Sequence, residues 1–176
     1  MTNTATYSVV LICAILAQAT ALAEHFQVGA ATSNITPELG REIIGGFVPF
    51  PSQHIHDELH ARCLVLDDGK TRLAIVVCDL LGIDRVVSER ARQQIQQRHG
   101  IPRDNVLICA THTHSASSAL GEDSRALAQE PDEYQQFVVR RVADAVARAI
   151  NNLSRAEFAF DTAAVPEHVF NRRWHM

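Results

Sequence analysis

The run Leu73-Ala-Ile-Val-Val-Cys78 is apolar at every position and rich in branched side chains. It follows Asp67-Asp-Gly-Lys70, a turn signal, and before that turn stands a second strand-like run, His60-Ala-Arg-Cys-Leu-Val-Leu66. Together they spell a β-hairpin. A strand that never alternates apolar with polar residues is expected to lie in a sheet covered on both faces. This requirement restricts the chain to layered folds in which helices flank a sheet.

The other elements agree with that class. Phe26 to Ser33 reads as a strand, ended by Asn34-Ile-Thr-Pro37, and Gly45-Gly46 with Pro49 and Pro51 mark a loop running to His54. Asp84 is placed to cap a helix from Arg85 to about Arg98, with Val87, Ala91 and Ile95 as its apolar stripe and Gly100 as its stop. Asn105 to Ala110 is a further strand. Asp132 is placed to cap a longer helix to about Leu153, whose apolar positions Tyr134, Phe137, Val138, Val142, Ala145, Val146, Ala149 and Ile150 follow helical spacing. Phe158 and Phe160 suggest one more strand. The expected class is α/β, a mixed β-sheet core flanked by helices.

The N-terminus has the form of an export signal. Tyr7 to Ala17 is an apolar stretch too short for a membrane span, and Ala21-Leu-Ala23 is a small-x-small cleavage site. Residues 1–23 are therefore expected to be removed, leaving a secreted or periplasmic protein. Cys63, Cys78 and Cys109 each lie inside an apolar run and have no C-x-x-C spacing. They are expected to be buried free thiols. The net charge of −4 gives no basic surface for nucleic acid.

Chemistry concentrates at Val106-Leu-Ile-Cys-Ala-Thr-His-Thr-His-Ser115, where an apolar strand runs into His112 and His114. On an extended backbone residues i and i+2 face the same way, so the imidazoles are expected side by side, suited to a metal ion or to acid–base work. Thr111, Thr113 and Ser115 supply hydroxyls able to partner ring nitrogens. Upstream, His54-Ile-His56-Asp57-Glu58-Leu-His60 forms a second polar cluster. Asp79, at the end of an apolar strand, could anchor a histidine or cap the turn towards Gly82.

In order along the chain stand Val28-Gly-Ala-Ala-Thr-Ser-Asn-Ile-Thr-Pro37, Gly45-Gly46-Phe47, Ile55-His56, Ala61-Arg62, Cys78-Asp79-Leu-Leu-Gly82, Ala110-Thr-His-Thr-His-Ser115 and Asn171-Arg172. This series resembles the N-terminal catalytic domain of the neutral/alkaline non-lysosomal ceramidases. The resemblance implies a zinc amidohydrolase that splits ceramide into sphingosine and a fatty acid. It implies His112 as a zinc ligand, with His114, His56 and Arg172 in the catalytic pocket. Lipid or another N-acyl amide as substrate, and contact with a membrane surface, follow from the resemblance alone. Members of the family continue T-H-T-H-S with Gly-Pro, whereas Ala116-Ser117-Ser118 stands here. The remaining zinc ligands of the family and its serine fall beyond position 176. The chain is therefore expected to be the incomplete N-terminal part of a larger domain, inactive alone. Two other readings compete: a different H-x-H metallohydrolase, disfavoured by Ser115-Ala-Ser-Ser118, and a non-catalytic remnant.

Overall fold

The computed structural model describes residues 26–46, 48–121 and 130–168. The export signal and Arg172 lie outside the described residues. Strands β1 (Gln27–Asn34), β4 (His60–Asp67), β5 (Arg72–Cys78), β6 (Val106–Ala110) and β7 (Ser154–Arg155) form one sheet in the order β6-β5-β4-β1-β7. Pairing is antiparallel from β7 through β1 and β4 to β5, and parallel between β5 and β6. The sheet is thus mixed and the class α/β, as expected. A separate short hairpin joins β2 (Glu42–Ile43) to β3 (Phe50–Pro51), inside what the sequence suggested was only loop.

Helices α1 (Arg85–His99) and α2 (Glu133–Asn151) follow β5 and β6. The β5–α1–β6 crossover is what makes the last strand pair parallel. Val87, Ala91 and Ile95 of α1 and Val138, Val142 and Val146 of α2 are fully buried against Ala61, Val65, Val76 and Cys78 of the sheet. α1 ends as anticipated, with Gly100 in the left-handed region at φ 69°. α2 opens on a capping box: the Asp132 side chain accepts from the Gln135 backbone N–H, and the Gln135 side chain accepts from the Asp132 backbone N–H.

Three expectations are corrected. Asp84 precedes α1 but makes no capping bond; its Oδ2 instead accepts from the Gly121 N–H and from Gln135 Nε2 (3.2 Å). Being 2% exposed, it serves the interior rather than the helix end. Phe158 and Phe160 form no strand and are 73% and 84% exposed; the last strand is the short Ser154–Arg155 pair instead. Finally, among the described residues only one face of β5 is fully covered. Ala74, Val76 and Cys78 are buried, whereas Leu73 on the opposite face is 41% exposed. The described helices supply one layer, and no second layer lies on the other face among the described residues.

Candidate active site

Strand β6 ends at Ala110, and the histidines lie in the irregular loop beyond it. The Thr111 N–H still donates to the Cys78 carbonyl (3.0 Å), the last rung of the β5–β6 pairing. His112 then turns into the left-handed region at φ 60°, the one non-glycine residue to do so among the described residues. The pair is therefore not carried on an extended backbone, which corrects the same-face expectation. The turn brings the rings together all the same, with centroids 5.0 Å apart and planes at 80°.

The hydrogen bond of His112 defines its chemistry. Its Nδ1 lies 2.8 Å from the Leu81 carbonyl oxygen. A carbonyl only accepts, so Nδ1 carries the hydrogen, and in the neutral ring Nε2 presents a lone pair. Fixing one ring nitrogen against a backbone carbonyl while leaving the other basic is how proteins orient histidine ligands. The Leu81 carbonyl is itself held in place. The Leu81 N–H donates to the Ser117 carbonyl (3.2 Å), Ala119 N–H to the Gly82 carbonyl (3.0 Å) and Asp84 N–H to the Ala119 carbonyl (3.3 Å). Residues 117–119 thus run beside residues 81–84 and prolong the β5–β6 direction past the histidines.

The hydroxyl and carboxylate partners differ from those expected. Thr113 Oγ1 meets Ser115 Oγ (3.1 Å) rather than a ring nitrogen, and Thr111 contributes its backbone. Asp79 neither anchors a histidine ring nor caps the turn to Gly82. Its Oδ2 accepts from the His60 N–H (3.0 Å) and Arg62 Nη2 (2.9 Å), tying the end of β5 to the start of β4. His56 is exposed, with Nδ1 2.8 Å from Asp57 Oδ2. It touches neither His112 nor His114, and the two hollows it lines are reached by other residues of the histidine loop but not by the two rings. One hollow of about 650 Å³ is lined by His56, Asp79, Thr111 and Thr113 among others. Another of about 460 Å³ is lined by His56, Ile55, Ser115, Ala116 and Ser117 among others. The loop bearing His112 and His114 contributes to both.

The donor set fits a metal in part. His112 Nε2 suits one coordination position and His114 stands next to it. Among the described residues, however, no group of three or more His, Cys, Asp and Glu side chains gathers to hold a metal ion. A bound zinc normally takes at least three protein ligands, so these residues do not complete a site.

The family model for neutral/alkaline non-lysosomal ceramidase, N-terminal, matches residues 26–175. The chain belongs to this family. Its fold is similar to that of the neutral ceramidase from Pseudomonas aeruginosa, at TM-score 0.61 and 22% identity over 74% of this chain. A ceramidase solved in complex with C2 gives TM-score 0.61 and 21% identity over the same share. The chain spans 22% of the length of each of these solved ceramidases. The segment Ala116-Ser117-Ser118 that follows the histidines is held locally. All three residues are buried, the Ser117 carbonyl receives the Leu81 N–H, and Ser118 Oγ accepts from the Leu120 N–H (3.0 Å). Sequence reasoning missed the part played by the Leu81 carbonyl, because a backbone acceptor leaves no trace in residue type.

Proposed function

We propose that the chain is the N-terminal part of a zinc-dependent amide hydrolase of ceramidase type, acting on ceramide or a related N-acyl lipid at a membrane surface after export. The observation that carries this reading is the His112 ring, with Nδ1 held by the Leu81 carbonyl and the ring edge-on to that of His114. Zinc, when bound, supplies a water of lowered pKa and polarises the amide carbonyl. His112 gives one nitrogen ligand. His114, packed edge-on against it, is positioned to move a proton between the attacking water and the leaving amine. His56 lines the adjoining hollows, where it would hydrogen-bond a substrate oxygen, and Arg172 would pair with developing negative charge. The other zinc ligands would come from outside the described residues, and inactivity of the chain alone, which spans 22% of the length of the solved ceramidases, is part of this proposal.

Zinc titration of the chain and of His112→Ala tests the ligand assignment, and a fluorogenic N-acyl substrate tests turnover. The expected result is weak zinc uptake that disappears in His112→Ala, without turnover. Zinc uptake indifferent to His112→Ala would overturn the assignment. Turnover abolished by His112→Ala would keep the hydrolase reading and overturn the incompleteness of the ligand set.

A further inference from the structure

We propose that the β2–β3 hairpin is a clamp that sets the position of His114, with Gly45 as its contact point and Arg41 as its anchor. The proposal gives His114 the catalytic importance assigned above and rests on that reading. Gly45 lies so close to the histidine loop that an added Cβ would stand 2.5 Å from His114 Cα, 2.6 Å from its carbonyl oxygen and 2.7 Å from its Cβ. Real Cβ atoms do not approach backbone at such distances, so any side chain at 45 must change the fit between the hairpin and the His114 backbone. The next residue is the internal control. A Cβ on Gly46 would find its nearest neighbour, the Val48 carbonyl oxygen, at 3.9 Å. Neither position has the positive φ that by itself favours glycine. Gly45 is required for space, not for backbone freedom.

A clamp must also be held from behind, and Arg41 does this. Its Nη2 donates to Asp132 Oδ2 (2.9 Å) and to the Ser118 carbonyl (3.5 Å), and its guanidinium lies 4.3 Å from the centroid of the Tyr134 ring. Gly40 N–H donates to the Ser52 carbonyl (2.9 Å), and Ser52 N–H to the Arg41 carbonyl (3.0 Å), closing the base of the hairpin. The start of α2, the buried 117–119 segment and the hairpin therefore meet at Arg41. Through Gly45 they press on the backbone of His114. A two-stranded hairpin this short holds no shape in water by itself, so its placement depends on these anchors.

The test is the NMR signal of the His114 imidazole in the full chain, assigned by its loss in His114→Gln. Gly45→Ala is expected to shift the His114 ring resonances, while Gly46→Ala leaves them in place and His99, at the opposite end of the sheet, is unmoved in both. Should Gly45→Ala not fold, Arg41→Ala provides the same reading, since release of the anchor is expected to shift the His114 signal. An unshifted His114 signal in a folded Gly45→Ala, or in Arg41→Ala where that variant stands in, overturns the clamp. An equal shift in Gly46→Ala does so too. None of these signals depends on zinc or turnover, so a failed clamp is distinguishable from a failed hydrolase reading, which the zinc titration decides.

Discussion

His112 combines a ring fixed by a backbone carbonyl with an unfavourable backbone. For an L-residue the left-handed conformation costs roughly 1–2 kcal/mol, and here the bond from Nδ1 to Leu81 offsets part of that cost. Substitution separates the two effects. His112→Ala loses the bond and keeps the unfavourable φ, whereas His112→Gly loses the bond and relieves the φ. We predict that the glycine variant unfolds at higher urea than the alanine variant, by about 1 kcal/mol, and that both lose zinc. The thiols give a second prediction at this scale. Burial pushes Cys63 up to about 12, and burial with its thiol and carboxylate neighbours pushes Cys78 up to about 12. Both are free, and both should stay unreactive towards a disulfide reagent at pH 8 until the chain is unfolded. Rapid modification of either in the folded state would contradict their burial.

Among the elements, the start of α2 has the most connections. Asp132 caps the helix, and its carboxylate also receives Arg41. Burial works to raise its pKa, but the Arg41 guanidinium and the Gln135 N–H outweigh it and hold the carboxyl below the usual aspartate range. A carboxyl with a depressed folded pKa stabilises above its unfolded value, about 3.9, and loses that contribution as pH falls through the lower folded value. Asp132→Ala is therefore expected to cost about 1 kcal/mol at pH 7, mostly through the lost cap, since the ion pair is half exposed and adds little. The charge-dependent part of that cost should fade as pH falls below about 4 and through the lower folded value, while the cap bond, which a neutral carboxyl oxygen still accepts, keeps the rest; denaturant curves at pH 7 and at acid pH read the difference directly. The same cap was legible in the sequence because Asp132 stands directly before the residues at helical spacing. The corresponding expectation for Asp84 failed because a buried hydrogen-bond network took its carboxylate, which only the folded chain creates.

For the molecule as a whole, the open sheet face is the main consequence of the architecture. Leu64, Ile75 and Leu107 form one cross-strand row, and Leu66 and Leu73 another. Leu64, Leu73 and Leu107 are 37%, 41% and 53% exposed. An apolar surface of this kind attracts hydrophobic ligands and other chains. We predict that the chain binds a hydrophobic dye, and that Leu64→Lys combined with Leu107→Lys removes most of the dye signal while leaving the unfolding midpoint nearly unchanged. Unaltered dye binding in the double variant would show that the dye reads another surface.

Local order came from the sequence because it follows local rules. Strand periodicity, the Asp67–Lys70 turn, the Gly100 stop and the α2 cap each depend on residues close together in the chain, and so does the placing of His112 and His114 just beyond an apolar strand. The partners of those residues are long-range. His112 meets Leu81, Gly45 meets His114, Arg41 meets Asp132, and Asp79 turns to Arg62 rather than to a ring. Backbone carbonyls and close approaches carry no residue signature, so composition and spacing are blind to them. The apolar β5 run likewise announced a need for cover on two faces; only the packing of α1 and α2 decided which face they cover.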